Sequence, residues 1–306
     1  MTTAPSRQVD IRRADDRFTT RIDWLNSRHS FSFGHHHDRA NTHHGVLLVN
    51  NDDVVQPGTG FETHPHRDME IVTWVLDGSL VHQDSTGHSG VIHPGLAQRM
   101  SAGTGILHSE KNDSWRLQGE QHTDPVHFVQ MWVIPDERGI MPGYEQLEID
   151  HELLSGGLVT VASGMDGHDG AIRIRNRYAA LHAARLRAGQ SVQLPEAPYL
   201  HLFVPRGQVT LEGAGELGNR RRSPLHRHRR TSDHGNRPCG GARLGDARGP
   251  RWMTPLHRPT RTWRRSMSIP TVIIGSGQSP LGTEDPNKPR SGQADAGVRG
   301  RRQGRS

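Results

Sequence analysis

Apolar and polar residues alternate over short distances through the first 218 residues of the chain. Short segments rich in Val, Ile, Leu, Thr and aromatic residues are separated by turns that contain Gly, Pro, Asp or Asn. Such a series is typical of an all-β sandwich or barrel. The pattern leaves room for one or two short helices, for instance near Asp150–Leu154, and we interpret the alanine-rich segment 178–186 as a strand. The predicted strands are residues 45–49, 70–76, 126–134, 158–162, 178–186 and 200–204.

This strand pattern occurs twice along the chain. Residues 78–81 (GSLV) and 207–210 (GQVT) each follow an apolar strand and a turn, which indicates an internal duplication. We therefore predict an N-terminal domain of residues 1–124 and a C-terminal domain of residues 125–218. The boundary falls in the polar stretch 118–125 or a little later, near residues 135–143.

The strand pattern stops at Asn219. The segment 219–306 contains 19 Arg, 12 Gly and 9 Pro but no Phe or Tyr, so it cannot bury enough apolar surface to offset its chain entropy. We predict that it is disordered, and that its apolar patch at residues 269–275 is too short and isolated to form a core. One interpretation is an arginine-rich arm that binds nucleic acid. A frameshift is the favoured interpretation, because the change interrupts an unfinished strand-turn pattern and the new composition is that of a GC-rich gene read out of frame.

The charge of the chain is divided in the same way. The segment 219–306 carries 20 Lys and Arg against 5 Asp and Glu, whereas residues 1–218 carry 18 against 27, so the net charge of +6 comes from the tail. The acidic body therefore argues against nucleic-acid binding. Cys239 is the single cysteine, which excludes a disulfide framework. The polar first residues and the lack of a run of about 18 apolar residues lead us to expect a cytoplasmic protein that spans no membrane.

Two short motifs combine metal-binding side chains at the spacing of a β-strand. His64 and His66 are two residues apart, and so are His108 and Glu110 about forty residues later. Because residues i and i+2 of a strand face the same side, each pair can converge on one point inside a barrel. Three imidazoles and a carboxylate suit Fe, Mn, Ni, Cu or Zn, and a set that leaves positions open suits oxygen chemistry on Fe(II).

Other candidate ligands are weaker. The histidines at residues 35–37 and 43–44 have no strand-spaced carboxylate, so we interpret them as surface or loop residues. Glu70 follows His66 by four residues and could ligate in place of Glu110, or orient a histidine from outside the ligand set.

Several separated segments, in order, resemble the pirin family across about residues 10–218. The resemblance implies two tandem cupin (jelly-roll) β-barrels, with Fe(II) in the N-terminal barrel and no metal in the C-terminal one. It assigns the ligands to His64, His66, His108 and Glu110, while Glu70 stands where ordinary cupins place a glutamate ligand. The last strands of the second barrel should follow Gly218 and do not, so that barrel is predicted to be incomplete. The matching segments are residues 24–33 (WLNSRHSFSF), 61–70 (FETHPHRDME), 84–87 (DSTG), 98–110 (QRMSAGTGILHSE) and 130–135 (QMWVIP).

Three functions remain open at this point. The resemblance favours a quercetinase-like dioxygenase, which opens the central ring of a flavonol with O2 and releases carbon monoxide, with Glu110 as the base that takes the flavonol proton. The alternative is a non-enzymatic regulator that binds a protein partner according to the redox state of its iron. The third is a reading frame that encodes a non-functional relic.

Overall fold

The structure, a computed structural model, describes residues 9–113 and 123–218 in full and residues 271–277 as backbone. Its regular elements are almost all strands, which confirms the predicted all-β fold. A 3-10 turn (Ala14–Asp16) and the predicted helix α1 (Asp150–Leu154) are the helical segments of the described residues. The strands are β1 (Phe18–Arg21), β2 (Leu25–His29), β3 (Leu47–Val55), β4 (Gly60–His66), β5 (Glu70–Asp77), β6 (Leu80–Asp84), β7 (Ser89–Ile92), β8 (Leu96–Ser101), β9 (Ile106–Lys111), β10 (Val126–Val133), β11 (Gly143–Glu148), β12 (Val159–Ser163), β13 (Ile172–Arg173), β14 (Ala179–Arg185), β15 (Tyr199–Arg206), β16 (Gln208–Leu211), β17 (Gly215–Gly218) and β18 (Thr271–Gly277).

The first barrel consists of two facing antiparallel sheets. The larger sheet has seven strands in the order β1-β2-β3-β10-β5-β8-β11, and the smaller one has four in the order β4-β9-β6-β7. Apolar side chains from both sheets meet at one end of the barrel interior, where Leu80 and Ile92 of the small sheet join Val75, Val126 and Phe128 of the large one. The inward positions of the barrel outside this apolar cluster can therefore carry polar side chains.

The large sheet is buried on both faces. Alternate residues of β5 and β10 point away from the barrel interior and pack against the second half of the chain. Burial on both sides explains why β10 reads as an almost continuous apolar run. The shared core includes Val72, Trp74, Val129, Met131, Val161, Ile172, Ala179 and Ala183.

The second half of the chain forms a five-stranded sheet in the order β13-β12-β14-β18-β15 and the hairpin β16-β17. The alanine-rich segment 178–186 is a strand, as predicted, because β14 lies in the middle of this sheet. One part of the prediction for the tail is wrong. Residues Thr271–Gly277 are not isolated, since they form β18 and pair with both β14 and β15. Strand pairing is a long-range interaction, which the local composition of an apolar patch cannot show.

The domain division stays a prediction. Strands β10 and β11 follow the predicted boundary at 124/125 in sequence but pair with β3, β5 and β8 of the first barrel. The predicted disorder and frameshift of residues 219–270 and 278–306 lie outside the described residues. Within the described ranges, no helix is long and apolar enough to span a membrane.

Candidate metal centre

Strand pairing in the small sheet brings the predicted ligands together. His64 of β4 lies opposite His108 of β9, and Glu110 of β9 lies opposite His82 of β6. His64 and His66 share a face of β4, and His108 and Glu110 share a face of β9, as the two-residue spacing requires. All of these side chains therefore point into the same part of the barrel.

Three imidazoles form the first cluster. The ring centroids lie 4.5 Å apart for His64 and His108, 4.8 Å for His64 and His66, and 4.9 Å for His66 and His108. One nitrogen from each ring lies within 4.8 Å of the other two. His64 and His66 are half-buried, whereas His108 is buried.

The nitrogen atoms of this cluster have the arrangement that a cation needs. Nδ1 of His64 lies 2.7 Å from the Glu62 carbonyl oxygen, which can only accept, so Nδ1 carries the proton and Nε2 keeps its lone pair. That Nε2 faces Nε2 of His108 at 3.1 Å. Nε2 of His66 is buried and has no hydrogen-bond partner in the described part of the chain. A buried polar atom without a partner is costly, and a divalent ion among these nitrogens would remove that cost.

Burial lowers the pKa of both His66 and His108 to about 4. For His66, the neighbouring His108 and His64 lower the pKa further. Both imidazoles are therefore neutral at physiological pH. The neutral form is the one that binds a metal, so the donor chemistry fits a divalent transition-metal ion.

Glu110 is buried and held from the opposite sheet. Its Oε1 accepts a hydrogen bond from Thr73 Oγ1 (3.1 Å), and its Oε2 accepts one from Gln130 Nε2 (2.7 Å). Gln130 Oε1 in turn accepts the indole N–H of Trp132 at 3.0 Å, which fixes the orientation of the Gln130 amide.

The environment of Glu110 keeps it charged. Burial by itself raises the pKa of Glu110, but the nearby His108 and His82 and the two hydrogen bonds more than offset this and lower the pKa below its usual value. A charged carboxylate can ligate a metal or accept a proton.

The structure gathers metal-binding side chains in two overlapping groups of three. The first group is His64, His66 and His108, and the second is His82, His108 and Glu110. His82 was missed at the sequence level. The sequence does contain a signal for His82, because His82 and Asp84 have the same two-residue spacing as the recognised pairs. In the structure, His82 Nε2 lies 3.2 Å from Asp84 Oδ2.

Glu70 belongs to neither group, so the alternative that it ligates in place of Glu110 is wrong. Its Oε2 accepts hydrogen bonds from Ser101 Oγ and from the Arg175 backbone N–H, both at 3.0 Å. The reason is a turn between β4 and β5, at which Asp68 has a φ of 49°. The alternation of inward and outward side chains therefore does not continue from His66 to Glu70. The histidines at residues 35–37 and 43–44 lie in the loop between β2 and β3, as expected.

Comparison with known proteins gives consistent results. The family model described as Pirin matches residues 11–133. The quercetin 2,3-dioxygenase of Escherichia coli K12 is 39% identical over 206 residues, which span 67% of this chain and 84% of that protein. A Mycobacterium tuberculosis protein, named provisionally as a quercetin 2,3-dioxygenase, is 66% identical over 211 residues, which span 69% of this chain and 84% of the relative.

Solved structures agree with the sequence comparison. The crystal structure of YhhW from E. coli is 37% identical with a TM-score of 0.60, covering 68% of this chain and 84% of that one. Bacterial pirin YhhW in complex with nickel(II) is 35% identical with a TM-score of 0.55, covering 68% and 85%. These matches confirm the predicted fold class and the resemblance on which it rests. The chain belongs to the pirin family.

Proposed function

We propose that this chain is a metal-dependent dioxygenase, which opens the central ring of a flavonol such as quercetin with O2 and releases carbon monoxide. The observation that carries the proposal is a pair of overlapping ligand groups inside one barrel. His64, His66 and His108 meet in one group, and His108 also meets the charged, buried Glu110 in the other. The names of the E. coli and mycobacterial relatives support the same activity, which is that of an oxidoreductase. The regulator alternative and a protein partner stay predictions.

The metal that we propose is Fe(II), bound by His64, His66, His108 and Glu110. Imidazole and carboxylate ligands also suit Cu, Mn, Ni and Zn, and a relative binds nickel(II). When bound, such an ion lowers the pKa of a coordinated hydroxyl group by Lewis acidity and provides redox chemistry toward O2.

Glu110 is the proposed catalytic base. Its carboxylate takes the proton of the flavonol 3-hydroxyl group, and the electron pair of the broken O–H bond remains on the flavonol oxygen as an enolate. Thr73 and Gln130 each donate one hydrogen bond to this carboxylate, so its orientation is fixed before substrate arrives. Each Glu110 oxygen keeps a lone pair for the incoming proton.

The same side chains determine where substrate enters. His64 and His66 are half-buried, whereas His108 and Glu110 are buried, so the ligands are most exposed on the side of β4, where we propose that substrate enters. Trp132 lies beside them in edge-to-face contacts, with its ring centroid 4.8 Å from that of His66 and 5.7 Å from that of Phe33. An aromatic substrate entering from this side meets an apolar wall first and the carboxylate last.

Anaerobic loading with Fe(II), followed by O2 and quercetin, tests the proposal. Loss of flavonol absorbance should accompany release of carbon monoxide. His66→Ala should abolish both, and His93→Ala, which removes an exposed histidine outside both groups, should retain them. Equal turnover by wild type and His66→Ala would contradict the metal site. Stoichiometric iron without carbon monoxide would contradict the flavonol reaction while leaving the ligands in place.

A further inference from the structure

The second group of metal-binding side chains lies deeper in the barrel than the first. His82, His108 and Glu110 are all buried, and one ligand atom from each lies within 4.8 Å of the others. His82 and Glu110 are cross-strand neighbours on β6 and β9, so their relative position is set by backbone pairing.

Asp84 determines which nitrogen of His82 is free. Asp84 Oδ1 accepts hydrogen bonds from the backbone N–H groups of Thr86 (2.9 Å) and His88 (3.2 Å) and from the Thr86 hydroxyl (2.7 Å). The other carboxylate oxygen, Oδ2, accepts the Nε2–H of His82 at 3.2 Å, so His82 keeps a lone pair on Nδ1. A carboxylate on the far nitrogen is the usual partner of a metal-ligating histidine.

His108 presents its two nitrogens to different neighbours. Its Nε2 faces the Nε2 lone pair of His64 at 3.1 Å, so without an ion between them His108 donates Nε2–H. Nδ1 of His108 then also carries a lone pair. Nδ1 of His82 and Nδ1 of His108 are both buried and have no hydrogen-bond partner among the described residues.

His82 Nδ1, His108 Nδ1 and the Glu110 carboxylate therefore all offer an electron pair, and neither of the two nitrogens carries a proton. Glu110 adds a carboxylate, each oxygen of which accepts one hydrogen bond from the described residues. The two imidazole nitrogens are shielded from bulk solvent. A divalent transition-metal ion is smaller than water, and two histidines with one carboxylate are a set that binds Fe(II) in oxygenases.

We propose that the barrel has a second, inner position for a divalent transition-metal ion, bound by His82 Nδ1, His108 Nδ1 and Glu110. This inference rests on the proposed function, because His108 and Glu110 are shared with the outer position at His64 and His66. The two positions exclude each other. An ion outside binds His108 Nε2 and leaves the proton on Nδ1, whereas an ion inside reverses this arrangement. The barrel therefore holds one ion at a time, in either of two places.

Equilibrium titration of the full chain with Ni(II), followed by metal analysis, tests the inner position. Wild type should bind one ion per chain. The double variant His64→Ala/His66→Ala should still bind one ion, and adding His82→Ala should abolish binding. His82→Ala alone should retain one ion at the outer position. In the double variant, Asp84→Asn should weaken Ni(II) binding by about 10- to 100-fold, whereas in the wild-type background it should change affinity less than about twofold.

The outcomes separate the two proposals. A double variant that keeps wild-type circular dichroism and melting temperature but binds no Ni(II) would overturn the inner position alone. Binding that is lost in His82→Ala but unchanged in the double variant would support the inner position and overturn the outer one. X-ray absorption of the Ni(II)-loaded double variant gives an independent measurement, for which the inner position predicts two imidazole ligands, and one or none would contradict it.

Discussion

The two halves of the molecule fill their interiors with different side chains. In the first barrel, His82, His108 and Glu110 occupy inward positions beside Thr73 and Gln130. In the second half, the space between the five-stranded sheet and the hairpin β16-β17 is apolar. That cluster contains Leu158, Ala184, Leu186, Val192, Leu194, Leu200, Leu202 and Val209. The strands provide inward positions in both halves, but the residues that occupy them decide where chemistry is available.

A buried histidine alone does not distinguish the two halves. His182 of β14 is also buried, and burial lowers its pKa to about 4. Its Nδ1 lies 3.2 Å from Thr160 Oγ1, so this nitrogen is paired. Among the described residues, both groups able to hold a metal lie in the first barrel. A metal site therefore needs several strand-spaced ligands that meet, and histidine content alone is not enough.

The largest expected effect comes from Glu110→Gln, which removes the proposed base and keeps the shape of the side chain. Turnover should fall by about 10²- to 10⁴-fold, the usual contribution of general base catalysis, while much of the metal is retained. The measurement is kcat with quercetin, corrected for bound iron. Glu212→Gln, an exposed carboxylate of the second half, is the matched control and should leave kcat unchanged. An unchanged kcat in Glu110→Gln would exclude Glu110 as the base.

Removal of the ion should destabilise the first barrel specifically. At a free ion concentration of about 1,000 times Kd, binding stabilises the folded state by about 4 kcal/mol, and chelation removes this contribution. Amide hydrogen exchange should accelerate in β4, β6 and β9 after chelation and change little in β12 and β14. Equal acceleration of hydrogen exchange in both halves would show that the ion stabilises the whole molecule. It would contradict the prediction that the ion stabilises the first barrel specifically.

A smaller effect is expected from Gln130→Leu, which removes one of the two hydrogen bonds to Glu110 at similar volume. Because partners behind a ligand orient it, metal affinity should weaken by about 10- to 100-fold. Ni(II) titration measures this directly. Gln208→Leu, at an exposed position of β16, is the matched control, and affinity unchanged in both variants would show that Gln130 does not position Glu110.

The last prediction concerns the pH dependence of stability in the metal-free protein. Burial raises the pKa of Asp53 in the first barrel from 3.8 to about 7. The folded state therefore binds more protons than the unfolded state between these values, so this group makes stability fall as pH rises. Its contribution to the slope is at most about 1.4 kcal/mol per pH unit.

Asp53→Asn should remove that contribution and increase stability most above pH 7. Urea unfolding at several pH values compares the slopes of the variant and the wild type. Arg177→Gln on the surface of the second half should leave the slope as it is. If the free energy of unfolding changed with pH equally in Asp53→Asn and in wild type, the raised pKa of Asp53 would be contradicted.

The site could be predicted from sequence to the extent that it follows strand geometry. The spacing of His64, His66, His108 and Glu110 was sufficient to bring them to one barrel face. His82 and Asp84 have the same two-residue spacing. However, nothing in the sequence indicated that they lie near the other ligands. For Glu70 the rule failed, because the turn at Asp68 separates two strands and resets which residues face inward.

The fold was predictable where local pattern decides it and unpredictable where distant strands decide it. Short strands and turns indicated an all-β chain, and the shared motifs indicated its family. The pairing of β18 with β14 and β15 joins residues far apart in sequence. Hydrogen bonds from Thr73 and Gln130 to Glu110 likewise link facing sheets, whose register cannot be derived from local patterns alone.

The stoichiometry of anaerobic Fe(II) binding tests the central claim most directly. His108 is shared by both groups of ligands, so wild type should bind one iron per chain and His108→Ala should bind none. Circular dichroism on the same samples establishes that both proteins are folded. Folded wild type that binds no iron, or His108→Ala that binds it as well as wild type, would contradict the claim that the first barrel is a metal centre.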